Sequence, residues 1–407
     1  MRPLRCFVRV LPKRDGMIVA LRTYTWAEID SLLARGDVAG KLIREDLPTP
    51  ALLVDLDSLE ANIAKMADFC RQKRRALRPH GKTHKCPQIA HALLRAGAVG
   101  CCAARISEAE VFAQAGVTGL LVTTAVIGRH KIERAVRLAK VHPDTIFSVD
   151  DAQNVQDLND AAGVAGVRLN LAIDLWVGAR TGIQPGEPAL ALAQKIAHLP
   201  NVQLAGLQAY AAPASHVCGW QERCRASTNA MTCAVETCQL FAKSGIDCSL
   251  VTGGSTGTYN IDSEIDGITE LQPGSFLFMD LDYRRIGGKG EDGVYRDFQI
   301  SLSVLTTVVS KPSAGLAIVD GGFKAFSTDK PFTPEPKGIQ GITYNWGGDE
   351  HGKLNLEKAA ASVEVGDRIE FIVPHCDPSV NLYDRMYGLR GDIVESVWHI
   401  DARGMSQ

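Results

Sequence analysis

The chain is expected to fold as an α/β protein: a (β/α)8 TIM-type barrel followed by a mainly β C-terminal domain. Three observations carry this expectation. The 407 residues exceed what one compact core of ordinary size holds, and a barrel of roughly 250 residues fits one of two domains. Between residues 76 and 278, eight short β-branched or apolar runs alternate with segments of helical period. Around residue 298 the alternation stops, and strand-like runs separated by Gly and Pro take over.

Thr49 to Asp55 reads as a strand ahead of the barrel. Asp57 to Arg71 follows as a helix, with Leu59, Ile63, Met66 and Cys70 on its apolar face and Asp57 or Ser58 as its cap. The eight barrel strands are expected at Ala76–His80, Gly97–Cys102, Gly119–Thr123, Thr145–Val149, Val167–Ile173, Val202–Tyr210, Cys248–Thr252 and Thr269–Phe278. Helical segments between them include Ser107–Ala115, His130–Val141, Ala152–Ala162, Pro188–Ala197 and Trp220–Ser244. The linker Ser255–Gly267 is the least helical of the crossovers. A doubly wound open sheet would use the same alternation; the count of eight and the polar residues at strand ends favour the barrel.

Beyond it, Phe298–Ser310, Leu316–Val319, Arg368–Val373, Asp392–Val394 and Val397–Ile400 read as strands without long helices. The expected division is an N-terminal extension over 1–47, a barrel over 48–297 and a β domain over 298–407. The strand near Thr49–Val54 can pair with the β domain.

With 45% hydrophobic and 22% charged residues and a formal net charge of -2, no global field favours nucleic acid or an anionic membrane. No apolar run approaches the ~18 residues a membrane span needs. The eleven cysteines show no Cys-x-x-Cys pair or zinc-finger spacing, so they read as reduced, mostly buried residues of a cytoplasmic protein. The first sixteen residues hold five Arg/Lys against the single acid Asp15; they read as an untidy extension rather than a transit peptide, with Met17 as an alternative start.

In a barrel, function gathers at the C-terminal ends of the strands. Those ends present Lys82, Asp174 with Arg180, Tyr210, and the run Gly253-Gly254-Ser255-Thr256-Gly257. A lysine there forms an imine if its amine is desolvated or set near another cation, and His80, His84 and Lys85 are neighbours that can supply the bias. The alternative is a basic surface loop. A glycine-rich turn after the seventh strand is a frequent phosphate site, since glycine allows close backbone approach and Ser255 or Thr256 adds hydroxyl donors; most such runs are only turns. His375 and Asp377, at the end of Arg368–Val373, project to one side if the strand continues. Imidazole plus carboxylate suits Mn, Mg, Zn or Fe, or forms a plain His–Asp hydrogen bond. Asp349-Glu350-His351 reads as a capping or interface cluster.

Taken in order, these motifs resemble the D-threonine aldolase and D-serine dehydratase group. The resemblance rests on Thr49-Pro50, Arg78-Pro79-His80-x-Lys82-x-His84-Lys85, Ser107-Glu108-Ala109, Gln208-Ala209-Tyr210 and Thr252-Gly253-Gly254. It continues through Glu270-Leu271-Gln272-x-Gly274-Ser275, Asp349-Glu350-His351-Gly352 and Pro374-His375-x-Asp377-Pro378, so it runs from about residue 48 to Gly404. It implies a fold-type III, alanine-racemase-like enzyme of pyridoxal 5'-phosphate (PLP), usually a homodimer. It implies a Schiff base on Lys82, with Tyr210 and Arg180 around the cofactor and Gly253 to Gly257 on its phosphate. His375 and Asp377 would hold a divalent metal, Mn2+ foremost with Mg2+ or Zn2+ as alternatives, and His216 would act near the substrate β-hydroxyl.

Dehydratases of the group resemble His-x-Cys at the metal site and aldolases His-x-Asp, so Asp377 points to an aldolase. The implied activity is cleavage of D-3-hydroxy amino acids, D-threonine-like, to glycine and an aldehyde. The competing readings are a 3-hydroxy-D-aspartate aldolase, a D-serine or 3-hydroxyaspartate dehydratase, and a non-catalytic PLP-binding protein. Ala104 and Ala211 depart from the polar residues often found there in the group, which implies a pocket for a different or larger side chain.

Overall fold

The computed structural model describes residues 9–12, 18–21, 24–178, 180–290 and 293–407. The alternative start at Met17 and most of the basic leading segment lie outside the described residues; Arg9–Pro12 and Ile18–Leu21 pair antiparallel.

Two compact units are formed. One holds Glu60–Gln299, His375–Asn381 and Ile400–Gln407; the other holds the described residues up to Leu59 with Ile300–Pro374 and Leu382–His399. The first unit is the barrel. Its parallel strands are β1 (Ala76–Leu77), β2 (Cys101–Ala103), β3 (Leu120–Val122), β4 (Ile146–Val149), β5 (Leu169–Asp174), β6 (Val202–Ala209), β7 (Leu250–Gly253) and β8 (Glu270–Leu271). From β2 to β8 each pairs with the next, and β8 pairs with β1. The ring closes between β1 and β2 through a parallel bridge of His80 with Cys102 and the bond from Val99 N to Leu77 O, 2.8 Å.

Crossovers are made by α1 (Pro87–Arg95), α2 (Ile106–Gln114), α3 (Arg129–Val141), α4 (Ala152–Ala165), α5 (Glu187–His198) and α6 (Trp220–Lys243). Helix α1 was not among the sequence-expected segments; Pro87 opens it and Ile89, Ala90 and Leu93 are buried. The weak seventh crossover is a single turn, α7 (Tyr259–Asp262). Strand β8 is much shorter than Thr269–Phe278, because Pro273 and Gly274 turn the chain into a 3-10 turn at Ser275–Leu277. A second short helix, α8 (Leu281–Arg284), follows. Inside the barrel, Arg78 holds Glu270 through two bonds of 2.8 Å, and Thr252 donates to the same carboxylate at 2.7 Å. Bidentate pairing compensates this buried guanidinium for the water it has lost.

The other unit is a β-sheet in which Ala51–Asp55 lies antiparallel to Leu302–Ser313 and parallel to Arg385–Arg390. The pre-barrel strand therefore does pair with the C-terminal sheet. Residues 26–47, expected as an extension, belong to this unit too. Thr25 and Glu28 form a capping box on the helix Trp26–Arg35, whose Ile29, Leu32 and Leu33 pack with Val38, Leu42, Leu53, Leu389 and Val394. The helix at Leu56–Lys73 is capped by Asp55, whose Oδ1 accepts from Ser58 N at 2.8 Å, rather than by Asp57 or Ser58. Five of the ten described cysteines are buried, short of the expected majority, and all ten are free thiols. Among the described residues no helix is long and apolar enough to cross a membrane.

Candidate active site

After β1 the chain makes a 3-10 turn at Gly81–Thr83, which carries Lys82 into a cavity of the barrel unit. His80, Tyr210, His216, Ser255, Thr256, Tyr283, His375 and Asp377 share its lining. Lys82 Nζ donates to Asp377 Oδ2 at 2.8 Å. Two-fifths of the lysine side-chain surface is open, against 14% of the aspartate's.

The cationic bias expected from the neighbours of Lys82 is not what the structure provides. His80 and His84 are buried, and burial holds both imidazoles neutral, His84 down to about 3. Lys85 turns away to Glu108 Oε1 at 2.9 Å. The dominant influence on Lys82 is the Asp377 carboxylate, which raises its pKa against burial. Burial raises the Asp377 carboxyl, but Lys82 and His375 more than offset this and keep it below the usual range. The two groups thus hold each other charged.

Asp377 and His375 reach the cavity without the expected strand continuation. The strand Arg368–Ile372 ends before Pro374, and Cys376–Val380 forms a helical turn with His375 at its N-cap. Their segment counts with the barrel rather than with the β unit. An imidazole and an ionised carboxylate on one cavity wall are a chemically apt start for a divalent ion. No group of three or more His, Cys, Asp or Glu side chains suited to a metal occurs among the described residues.

Of the other expected residues, Tyr210 and His216 line the cavity, whereas Arg180 does not. Arg180 lies over the Tyr210 ring, 5.5 Å from its centroid. Asp174 lies at the end of β5, accepting from Gln208 at 2.8 Å and Thr181 at 2.7 Å. His216 lies 4.6 Å from Tyr283, ring to ring, and its Nδ1 is 3.0 Å from Asp282 Oδ2. That approach is of ion-pair length but is not an aligned hydrogen bond.

Within the glycine run only Ser255 and Thr256 reach the cavity. A Cβ on Gly253 would meet Ala209 O at 2.0 Å, and one on Gly257 would meet Ser215 O at 2.2 Å. Those two glycines are needed for backbone packing. Behind the run, Tyr295 donates to Thr256 O at 2.6 Å and Arg223 to Gly257 O at 2.9 Å. Thr256 Oγ1 accepts from Phe276 N at 2.9 Å, which leaves its own proton for an anion in the cavity. A phosphate fits these donors.

Arg223 is fully buried on α6 and also donates to Val217 O at 2.9 Å, Ile286 O at 2.7 Å and Gly287 O. One guanidinium therefore joins the loop after His216, the glycine run and the loop after α8. Neither Arg223 nor Asp282 was singled out from sequence, since an arginine within a long helix and an acid in a short turn carry no local signal. Gln272, Gly274 and Ser275 also line the cavity.

Residues 54–282 match the family described as "Alanine racemase, N-terminal domain", and residues 301–389 match the family described as "Putative serine dehydratase domain". The chain is 38% identical over 360 residues to the D-threonine aldolase of an Arthrobacter species, covering 88% of this chain and 93% of that protein. It is 34% identical over 385 residues to the 3-hydroxy-D-aspartate aldolase of Paracoccus denitrificans, covering 91% and 99%. The crystal structure of D-threonine aldolase from Filomicrobium marinum superposes with a TM-score of 0.85 at 37% identity, covering 89% of this chain and 98% of that one.

Proposed function

Because the chain belongs to the alanine racemase N-terminal domain family, with carbon–carbon lyases among its relatives, we propose that it cleaves D-3-hydroxy amino acids of the D-threonine type to glycine and an aldehyde. The observation that carries this reading is the meeting of Lys82 with Asp377 and His375 in a cavity that also presents the Ser255 and Thr256 hydroxyls.

When bound, PLP supplies the electron sink for the bond that breaks, and a divalent metal, Mn2+ before Mg2+ or Zn2+, supplies a Lewis acid for the β-hydroxyl. Lys82 would hold the cofactor covalently, Ser255 and Thr256 its phosphate, and Tyr210 its ring, with Arg180 set against Tyr210. His375 and Asp377 would hold the metal. His216 accepts the β-hydroxyl proton, and Asp282 stabilises the imidazolium that results. Lys82 needs a neutral amine to act as a nucleophile. Its ion pair with Asp377 opposes this, so any demand on Asp377 from another cation frees the lysine. Asp377 in place of a cysteine favours aldol cleavage over dehydration. We further place the protein in the cytoplasm, which its free thiols support, and as a homodimer, which the resemblance implies; its near-neutral charge speaks for no nucleic-acid or anionic-membrane partner.

The test is incubation of the PLP- and Mn2+-loaded protein with D-threonine, D-serine and D-3-hydroxyaspartate. Glycine and acetaldehyde from D-threonine are expected, and Lys82→Ala should lose both turnover and the borohydride-reducible adduct. A keto acid with ammonia would replace the reading by a dehydratase; cleavage of D-3-hydroxyaspartate alone would move the substrate to that acid.

A further inference from the structure

Asp280 is fully buried, and both of its carboxylate oxygens are engaged. Oδ1 accepts from Tyr283 N at 2.9 Å and so caps α8. Oδ2 accepts from Cys376 N at 2.8 Å, almost a hundred positions along the chain. That N–H belongs to the peptide joining His375 to Cys376. The carbonyl of the same peptide accepts from Ser379 Oγ at 2.7 Å. The peptide plane between the two cavity-lining residues is therefore gripped at both edges. Rotation of that plane would swing the His375 and Asp377 side chains relative to one another.

We propose that Asp280 is a positioning residue for a divalent cation bound by His375 and Asp377, acting by fixing the peptide between them. This rests on the assignment of the metal to that pair. A ligand pair supplied by a short turn has little rigidity of its own, and groups outside the coordination shell commonly determine how well such ligands are presented. Asp280 also anchors α8, which carries Asp282 beside His216, so one carboxylate sets the metal-side wall and the turn behind the base.

The experiment is a titration of the metal-free, PLP-loaded protein with Mn2+, reading free Mn2+ by electron paramagnetic resonance. The variants are Asp280→Asn, Asp280→Ala, Ser379→Ala, His375→Ala and Asp377→Ala. Asp280→Asn has one acceptor oxygen for two N–H donors and should bind Mn2+ roughly 10–100-fold more weakly. It should keep the parent PLP absorbance and recover activity as Mn2+ is raised. Asp280→Ala should be weaker still, and Ser379→Ala, which releases the other edge of the peptide, should show a smaller loss. If Asp280→Ala does not fold, the Asn and Ser379 variants carry the comparison.

Unchanged Mn2+ binding by Asp280→Asn, beside its loss in His375→Ala and Asp377→Ala, would overturn the inference and leave the metal site standing. Unchanged binding in the latter two would overturn the metal assignment itself. Weaker binding accompanied by lost PLP absorbance and a collapsed melting curve would reduce Asp280 to a structural cap and overturn the positioning role.

Discussion

Replacing Arg223 by methionine keeps most of the side-chain volume but removes the donors that hold three loops together. Four bonds are lost, to the carbonyl oxygens of Val217, Gly257, Ile286 and Gly287, of which Ile286 O keeps a bond from Gly219 N at 2.9 Å. At about 1 kcal/mol net for each bond, the loss comes to ~4 kcal/mol. Water cannot readily replace the guanidinium, because the residue is fully buried. A loss of this size should lower the melting temperature on the order of 5–10 °C. The loops released are those behind His216 and Thr256, so PLP affinity should fall as well. Differential scanning calorimetry of the PLP-loaded protein and a PLP titration followed by absorbance measure the two effects. Arg223→Lys, with three donors on a shorter reach, should fall between the parent and Arg223→Met. A melting temperature within about 2 °C of the parent, with PLP affinity unchanged, would refute the claim that this guanidinium organises the cavity loops.

On the role proposed for His216 as base, Asp282→Asn should lower kcat by ~10–100-fold with little change in KM, because it removes the carboxylate charge 3.0 Å from the ring. An unchanged kcat would detach Asp282 from the proton transfer. Burial pushes the Asp262 carboxyl up to about 6, against the Ser227 and Thr258 hydroxyls that hold it down. Its folded pKa lies above the unfolded value of ~3.9, so the native chain binds the extra proton between the two. Stability from this group is complete below ~4 and is lost as pH rises through about 6, by ~3 kcal/mol. Asp262→Asn should flatten urea-measured stability across that window, and a slope equal to the parent's would reject the assignment.

Much of the barrel was legible in the sequence because its determinants are local. The alternation of apolar runs with helical periods depends on neighbours a few residues apart, and it located seven of the crossovers' flanking strands closely enough to put Lys82 just past the first. Strand β8 was overdrawn because apolar residues continue beyond the point where Pro273 and Gly274 turn the chain. The helix Trp26–Arg35 carried a readable Thr25/Glu28 capping box, yet its place in the β unit depends on contacts with Leu305, Leu389 and Val394 far along the chain.

At the site the division is sharper. Sequence alone supplied the residue types: a lysine after a strand, a glycine run, a His-x-Asp pair. What each side chain faces was decided by tertiary packing, which brings Asp377 to Lys82 across 295 positions and turns Lys85 toward Glu108. The same packing puts Ala209 and Ser215 where glycine side chains would be, and joins Asp280 to the peptide beside His375. The physical reason is that backbone preference acts over a few residues. The charge of a buried group and the partner of its hydrogen bonds are settled only when distant segments exclude water together.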